Sequence, residues 1–431
     1  MAYSIFTARR QKKPEVSDEQ HWADTLKDNI FVLCKTPMAV SITRRTLVGF
    51  RNLQVNAKYR KDLVKDAQEE SSREKLASEI QSGKNFWKIN EDNDMKFDAI
   101  VGNPPYQENI STENDNKSLA KQLFPSFIEL GIDMKPKYFS LITPSRWFSG
   151  NAQDSSFIKL RNFLKQKPHF TDIYHYANEN DIFKKIYISG GINYFLYSSE
   201  YTGNVNFYEC TQTHMDKSNR PLFEDGLDIV LSMNKFVDIL KKVKNHKDFI
   251  SMTTMTQGRN AFGIVGKESE LLSITKHLYF ENAIAVRCAY EKIRYIERGK
   301  VKKGLKLIDK WKIFISKGNG GAGILNMEKP VSIIGKPYIG APGSICTDSL
   351  IPIGCFETKE EASNLSRYLQ TKFVRFLIGI LKISQNIYQN VYTFVPVQDF
   401  KKSWTDEELY KKYALTDEEI DFIETMIKPM K

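Results

Sequence analysis

The sequence lacks paired cysteines, long apolar runs and a leader-like start, and each absence removes a class of protein. Its five cysteines, Cys34, Cys210, Cys288, Cys346 and Cys355, are odd in number, scattered, and form no CxxC pair. That pattern argues against a disulfide framework and against a structural zinc site, so no metal is expected. No stretch approaches about 18 consecutive apolar residues, the length a membrane span needs. The basic cluster Arg9–Lys13 has no apolar segment behind it, so the N-terminus does not read as a secretory signal. A cytoplasmic protein without a membrane partner is the expectation. There is no internal repeat and no low-complexity tract. No PD-(D/E)xK nuclease signature stands out, so cleavage by this chain alone is not expected.

What is present is ordinary in bulk and biased in charge. The 431 residues are 41% apolar and 27% charged, enough for two domains with buried cores. The formal net charge of +11 points to a polyanionic partner, because Lys and Arg gain affinity by releasing counterions from phosphates. Aromatic residues make up 12%, which suits base stacking and also suits cores.

Apolar patterning divides the chain near residue 205. Upstream, strand-like runs alternate with helical segments. The strands are expected at Ile30–Leu33, Phe97–Val101, Tyr138–Ile142, Asp172–Tyr176 and Asn193–Ser198. Helices are expected from Ser17 toward Asn29, from Pro37 toward Phe50, from Leu123 to before Pro136, and over Phe157–Gln166. Pro37 suits a first helical turn. Residues 57–92 are charge-rich and read as an exposed helical excursion around Glu69–Glu79. This alternation predicts an α/β doubly wound sheet. Downstream, helices and Gly-containing loops mix, with strands expected at Trp311–Ser316 and Val331–Ile334 and a flexible loop over Lys317–Gly323. Thr405-x-x-Glu408 and Thr416-x-x-Glu419 read as capping boxes of two terminal helices.

The sharpest motif is Asn103-Pro104-Pro105-Tyr106, placed directly after the apolar run Phe97–Gly102. The two prolines fix their own φ angles, and Pro105 also restricts Pro104, so the turn is rigid. Asn103 offers a side-chain carbonyl, Pro104 a backbone carbonyl, and Tyr106 an aromatic face. Such a set can hold an exocyclic amino group by both of its N–H bonds while a base stacks on the ring. A plain Pro-Pro turn, or a ligand for a WW domain, would use the same letters. The polar stretch 107–118 follows as a long loop, and loops of that length are often functional.

Phe97–Gln107 resembles motif IV of the γ-type adenine-specific DNA methyltransferases of restriction–modification systems, including the type IIG-like enzymes. Phe139–Phe148 resembles motif VI of that family, and Gly190–Leu196 resembles its motif VIII region. The segment from Gly335–Ile339 through Phe394–Pro396 resembles the target-recognition domain of the same group. The resemblance implies an incomplete Rossmann-like methyltransferase sheet over residues 1–204, an α+β target-recognition domain over 205–400, and a helical tail over 401–431. It implies methyl transfer from S-adenosylmethionine to the amino group of a flipped adenine in double-stranded DNA, with Asn103, Pro104, Pro105 and Tyr106 as the catalytic set.

Two departures accompany the resemblance. The family carries a loop of the type Asp-Pro-x-x-Gly-x-Gly before motif IV, which wraps the methyl donor, and nothing like it lies upstream of Phe97. Thr36-Pro37-Met38-Ala39-Val40 resembles the helix start after the family's second strand, but Cys34 and Lys35 stand where an acidic residue often binds ribose hydroxyls. A lysine cannot accept those hydrogen bonds. The cofactor-binding residues therefore stay unassigned. Activity that requires a second chain carrying the cofactor loop is one reading, and a nuclease partner is a further expectation. A non-catalytic recognition subunit or an inactive remnant is the alternative.

For contact with DNA the candidates are Arg146, Arg259, Asn260 and Lys317, with Lys312, Lys372 and Arg375 as further ones. Arg and Asn can pair with base edges, whereas Lys fixes phosphates. Arg146 is expected on a loop at the sheet edge that carries motif IV. Trp147 is expected to pack.

Overall fold

The computed structural model describes the chain except for residues 90–94, 110–119, 151, 153, 187, 189, 319–324, 326–328, 383–385 and 431. The expected loops over 107–118 and 317–323 thus lie mostly outside the described residues. The fold is mixed α/β, with two compact units interleaved in sequence. Unit 1 comprises Met1–Pro144, Asn151–Tyr174 and Asn193–Asn206, and unit 2 comprises Ser145–Gly150, His175–Ile192 and Phe207–Lys431.

Unit 1 opens with helices α1 (Ala2–Lys12) and α2 (Asp18–Asp24). Strand β1 (Phe31–Cys34) then crosses through α3 (Pro37–Val48) to β2 (Asn56–Tyr59), its parallel partner. Thr36 caps α3 by accepting the Ala39 N–H at 3.1 Å, and Pro37 occupies the first turn, where no N–H is missed. Helices α4 (Leu63–Gln68) and α5 (Glu70–Gln81) follow, then β3 (Ala99–Gly102). A short hairpin, β4 (Gln107–Asn109) and β5 (Ala120–Gln122), precedes α6 (Phe124–Asp133) and β6 (Tyr138–Pro144). The crossover β3–α6–β6 is a Rossmann-like βαβ unit, in register Ala99↔Tyr138 through Gly102↔Leu141. Helix α7 (Ser156–Lys165), β7 (Phe170–Tyr176) and β8 (Ile192–Ser198) follow, and with β9 (Val205–Cys210), which only begins in unit 1, and β10 (Met215–Arg220), which belongs to unit 2, the strands run in the order β10-β9-β7-β8-β6-β3.

The described part of 57–92, residues 57–89, is not the exposed excursion that its charge suggests. Leu63, Ala67, Leu76, Ala77, Ile80 and Trp87 are buried in one cluster with Leu130 and Met134. Arg73 is buried too, paired with Glu129 and Asp133 at 2.7 Å each. A sparse apolar stripe is enough to bury a charged helix when its one inward cation finds two carboxylates.

Unit 2 holds two three-stranded sheets. One has the order β12-β11-β15, from β11 (Ala283–Arg287), β12 (Ile293–Glu297) and β15 (Ser344–Cys346). The other, β14-β13-β16, uses β13 (Trp311–Ser316), β14 (Tyr338–Gly340) and β16 (Leu350–Phe356). Helices α8 (Asn234–Lys244), α9 (Glu268–Ile274), α10 (Leu305–Ile308), α11 (Lys359–Gln370), α12 (Lys372–Leu381), α13 (Asp406–Lys412) and α14 (Asp417–Met426) surround them. The main core draws on α8, α11, α12, α13, α14, β13 and β16 together. The expected strand at Val331–Ile334 does not form. Val331 makes one bridge to Ile427, and Ile333 has φ 62°, so this apolar run plugs the core instead of extending along a sheet.

Candidate functional site

The candidate site lies at the C-terminal end of β3, where open α/β sheets place ligands. Within β3, Ile100 turns toward the cluster under α4 and α5. Gly102 is held tightly beside β6, since a Cβ there would stand 3.2 Å from Leu141 Cδ2. The strand then stops at Asn103, the first residue past the ladder, which is exposed. Pro104, Pro105 and Tyr106 are half-buried and carry no regular secondary structure. The motif is tied down at its far end. The Tyr106 carbonyl accepts the Leu123 N–H at 3.0 Å, and the hairpin registers Gln107 with Gln122. The Tyr106 ring meets Phe124 edge-on with centroids 6.5 Å apart. The turn is thus anchored on both sides with its Asn outward.

The Tyr106 hydroxyl is buried without a hydrogen-bond partner among the described residues. Burial alone pushes this phenol above its usual range. A buried hydroxyl with no partner is uncommon and marks a place where a polar group is wanted.

Arg146 falls in unit 2, on a short 3-10 turn, Ser145–Trp147, immediately after β6. It is half-buried, and desolvation lowers its pKa. Gly190, at φ +86°, lies against it, since a Cβ there would come within 2.9 Å of Arg146 Cγ. The Gly191 carbonyl accepts the Ser145 N–H at 2.9 Å. The segments resembling motifs VI and VIII are therefore adjacent. Trp147 is fully buried against Phe148. Ser145 Oγ lies 2.9 Å from His175 Nδ1, a contact that no sequence pattern indicated. Complete burial holds His175 down to about 4 and keeps it neutral.

Three of the other candidates converge in unit 2. Arg259 is 60% exposed and pairs with Asp348 at 3.3 Å. Asp348 is fixed in turn by the Gly266 N–H at 2.8 Å. Asn260 takes a left-handed conformation, φ 59°, and its side-chain oxygen is buried without a partner among the described residues. Lys317 stands 5.6 Å from the ring of Tyr388, and its pKa is lowered by partial burial and then by the nearby Arg259 charge. Tyr388 is an exposed aromatic beside Lys317, and the sequence offered no signal for it.

The remaining cations are structural. Lys312 is 0% exposed, and its Nζ donates to the carbonyls of Ile308, Lys310 and Ala341. Burial lowers its pKa to about 8. Arg375 is buried and donates to the carbonyls of Gln370, Thr371 and Lys428. Lys372 is engaged by Glu424. None of the three presents its charge to a phosphate.

The described residues do not fit a methyl donor. At the end of β1, Cys34 is buried against Thr43 at 3.9 Å, and Lys35 offers no acceptor for ribose hydroxyls. Among the described residues of unit 1 no glycine cluster forms a cradle: Gly49 caps the C-terminus of α3 and Gly83 opens a short π-helical segment, Gly83–Trp87. No group of three metal-ligating side chains occurs among the described residues. No helix there is long and apolar enough to cross a membrane.

Residues 28–183 match the family model of the Eco57I restriction-modification methylase. A Mycoplasma pneumoniae protein described as an uncharacterized adenine-specific methylase is 34% identical over 170 residues, covering 37% of this chain and 39% of that protein. The chain thus spans about two fifths of that relative's length. Among solved structures, the type IIL restriction-modification enzyme MmeI in complex with DNA is 8% identical with a TM-score of 0.39, covering 78% of this chain and 55% of the other. The type ISP enzyme LlaBIII bound to DNA is 10% identical with a TM-score of 0.40, covering 81% and 30%. The segment that matches this methylase family model contains β1 to β7 and the whole Asn103–Tyr106 turn.

Proposed function

We propose that this chain supplies the target-base half of adenine-specific DNA methylation in a restriction–modification system. The observation that carries the reading is Asn103–Tyr106, anchored at the end of β3 inside the segment that matches a methylase family. The adenine amino group is a poor nucleophile because its lone pair is delocalised into the ring. The Asn103 side-chain carbonyl and the Pro104 backbone carbonyl accept its two N–H bonds and draw the lone pair back toward nitrogen. Rigid prolines hold both acceptors in place before the base arrives. The base leaves the duplex to reach them and stacks on Tyr106. Arg259 and Lys317, with Asn260 and Tyr388, form the surface proposed to meet double-stranded DNA, and Arg146 is proposed near the flipped strand. The methyl group comes from S-adenosylmethionine in the family resembled, and the described residues of this chain offer that donor no cradle. A non-catalytic recognition subunit is the second reading, favoured by that same lack.

The test is N6-methyladenine in the DNA of a methylation-free host expressing this chain, alone and with the products of neighbouring genes. Methyladenine is expected in at least one pairing and falls on the order of 100-fold in Asn103→Ala, as for loss of one preorganised acceptor. No methylation in any pairing sinks the enzyme reading. DNA binding with a clear salt slope would then leave the recognition subunit.

A further inference from the structure

We propose that His175 is a positioning residue for Arg146, and that Arg146, so held, binds a phosphate of duplex DNA. The purpose of this arrangement rests on the reading that the chain meets DNA; the geometry does not. All of its residues belong to unit 2. Ser145 and His175 are 3% and 4% exposed. Ser145 Oγ lies 2.9 Å from His175 Nδ1, and the Ile192 backbone carbonyl accepts a hydrogen bond from the same ring. A ring that spends its N–H on a carbonyl has only a lone pair left for the serine, so the Ser145 hydroxyl donates to Nδ1. The neutral imidazole with its proton on Nε2 is the form that makes both bonds. Its surroundings favour that form. The rings of Phe148 and Phe207 lie 5.3 Å and 6.2 Å from it, and the Arg220 guanidinium rests 4.1 Å over Phe207. Apolar walls and a nearby cation both disfavour a second positive charge.

Three chain segments meet at that ring. Ser145 opens the turn after β6, His175 lies next to the end of β7, and Ile192 begins β8. The backbones are pressed together as well. The Ser145 N–H donates to the Gly191 carbonyl at 2.9 Å, and a Cβ on Gly191 would stand 2.3 Å from the Tyr176 carbonyl oxygen. The stem of Arg146 fills the space that a side chain at Gly190 would need. The arginine is therefore fixed by its neighbour Ser145 on one side and by Gly190 along its stem. A leucine or phenylalanine at position 175 could fill the same core, but neither could join a serine hydroxyl to a β8 carbonyl. Arg146 is half-buried, so part of its desolvation cost is already met in the free protein. A guanidinium on a fixed stem loses little freedom on meeting a phosphate, whose oxygens match its fork.

The test titrates binding of the full chain to a labelled duplex of random sequence, about 30 base pairs long, against salt, and records the melting temperature of each variant. Arg146→Ala is expected to weaken binding roughly 5- to 10-fold near 0.1 M salt and to lower the salt slope by about 1. Ser145→Ala removes one oxygen atom, and His175→Phe removes both hydrogen bonds while keeping a ring. Each is expected to reproduce the slope change of Arg146→Ala and to add nothing to it in a double variant. Ser145→Ala keeps the test decisive where His175→Phe does not fold. Four results overturn the proposal: no duplex binding by the parent, an unchanged slope in Arg146→Ala, a lowered melting temperature with the parent slope in Ser145→Ala, or a full further loss in the double variants. The third would assign His175 to the core alone. No methyl donor enters this measurement. The expected slopes without methylation in any pairing would sink the proposed activity alone, and methylation with an unchanged Arg146→Ala slope would sink this inference alone.

Discussion

Helices α3 and α12 begin alike and end differently. Each starts on a threonine whose side chain accepts a backbone N–H three residues on, Ala39 for Thr36 and Val374 for Thr371. Each joins or flanks a sheet, and each is rich in apolar residues. Yet α12 buries Phe373 through Ile380, and α3 buries nothing fully. Capping chemistry makes both helices start where they do, and tertiary packing decides what each is worth. Unit 2 completes its own core, whereas the β1–α3–β2 part of unit 1 presents an apolar surface that the described residues do not cover.

The contrast breaks first in the core of α12. Leu377 is fully buried among Phe376, Phe373 and their neighbours, so Leu377→Ala should cost about 2–5 kcal/mol through lost transfer energy and a cavity. Urea unfolding followed at a unit 2 tryptophan checks it. A cost under about 1 kcal/mol would mean that this core relaxes freely, and the contrast with α3 would lose its basis.

Acidity is a second lever on unit 2. Burial, with the Asp216 charge adding to it, raises Glu209 to about 7, although its carboxylate accepts the Asn234 N–H. The folded value lies above the unfolded one, so the protonated form is the stabilised one. Its contribution is full below about 4.5 and is lost as pH rises through about 7, roughly 3 kcal/mol in all by linkage. His175 acts oppositely: its value is depressed to about 4, so stability falls as pH drops below about 6.5. The two effects offset each other between about 4.5 and 6.5, and the Glu209 slope is clean between about 6.5 and 7.5. Melting temperatures across that window should fall for the parent and stay flat for Glu209→Gln. An unchanged slope in the variant would assign the titration elsewhere.

How far the sequence could reach follows from the same contrast. Trp311–Ser316 was legible to the residue because Trp311, Ile313, Phe314 and Ile315 make a β-forming run between polar segments. Both terminal capping boxes were legible because their chemistry is local. The position of Asn103–Tyr106 at a strand end was legible for the same reason. What failed was non-local. Lys312 and Arg375 read as surface cations because a charge in a sequence does not announce the carbonyls that will cage it. Val331–Ile334 read as a strand because a run of apolar residues does not disclose that Ile333 turns left-handed to plug a core. That β1 and β3 each have one ladder partner among the described residues was invisible, since a missing partner has no local signature. Tyr388 joined Arg259 and Lys317 only through the fold.

A smaller effect tests whether local capping is worth the same on a packed helix. Thr416 and Glu419 form a reciprocal box at the start of α14, which is buried along Phe422, Ile423 and Met426. Thr416→Ala should cost about 1 kcal/mol, the usual value for one lost cap. A cost of several kcal/mol in a thermal melt would show that the box positions the whole helix against the core, not just its first turn.

The smallest effect is the most informative about α3. Met38→Ser and Ile42→Ser remove apolar surface that the folded chain leaves in water, so each should change stability by less than about 0.5 kcal/mol. The serines also lower helix propensity slightly, and that alone accounts for the small loss expected. A loss above about 2 kcal/mol would require these side chains to be buried in solution. The partner would then have to be a second copy of the chain, since the measurement contains nothing else. The loss would in that case shrink on dilution, because stability from self-association depends on concentration. A small loss that does not change on dilution leaves α3 bare in the isolated chain and keeps its contrast with α12 intact.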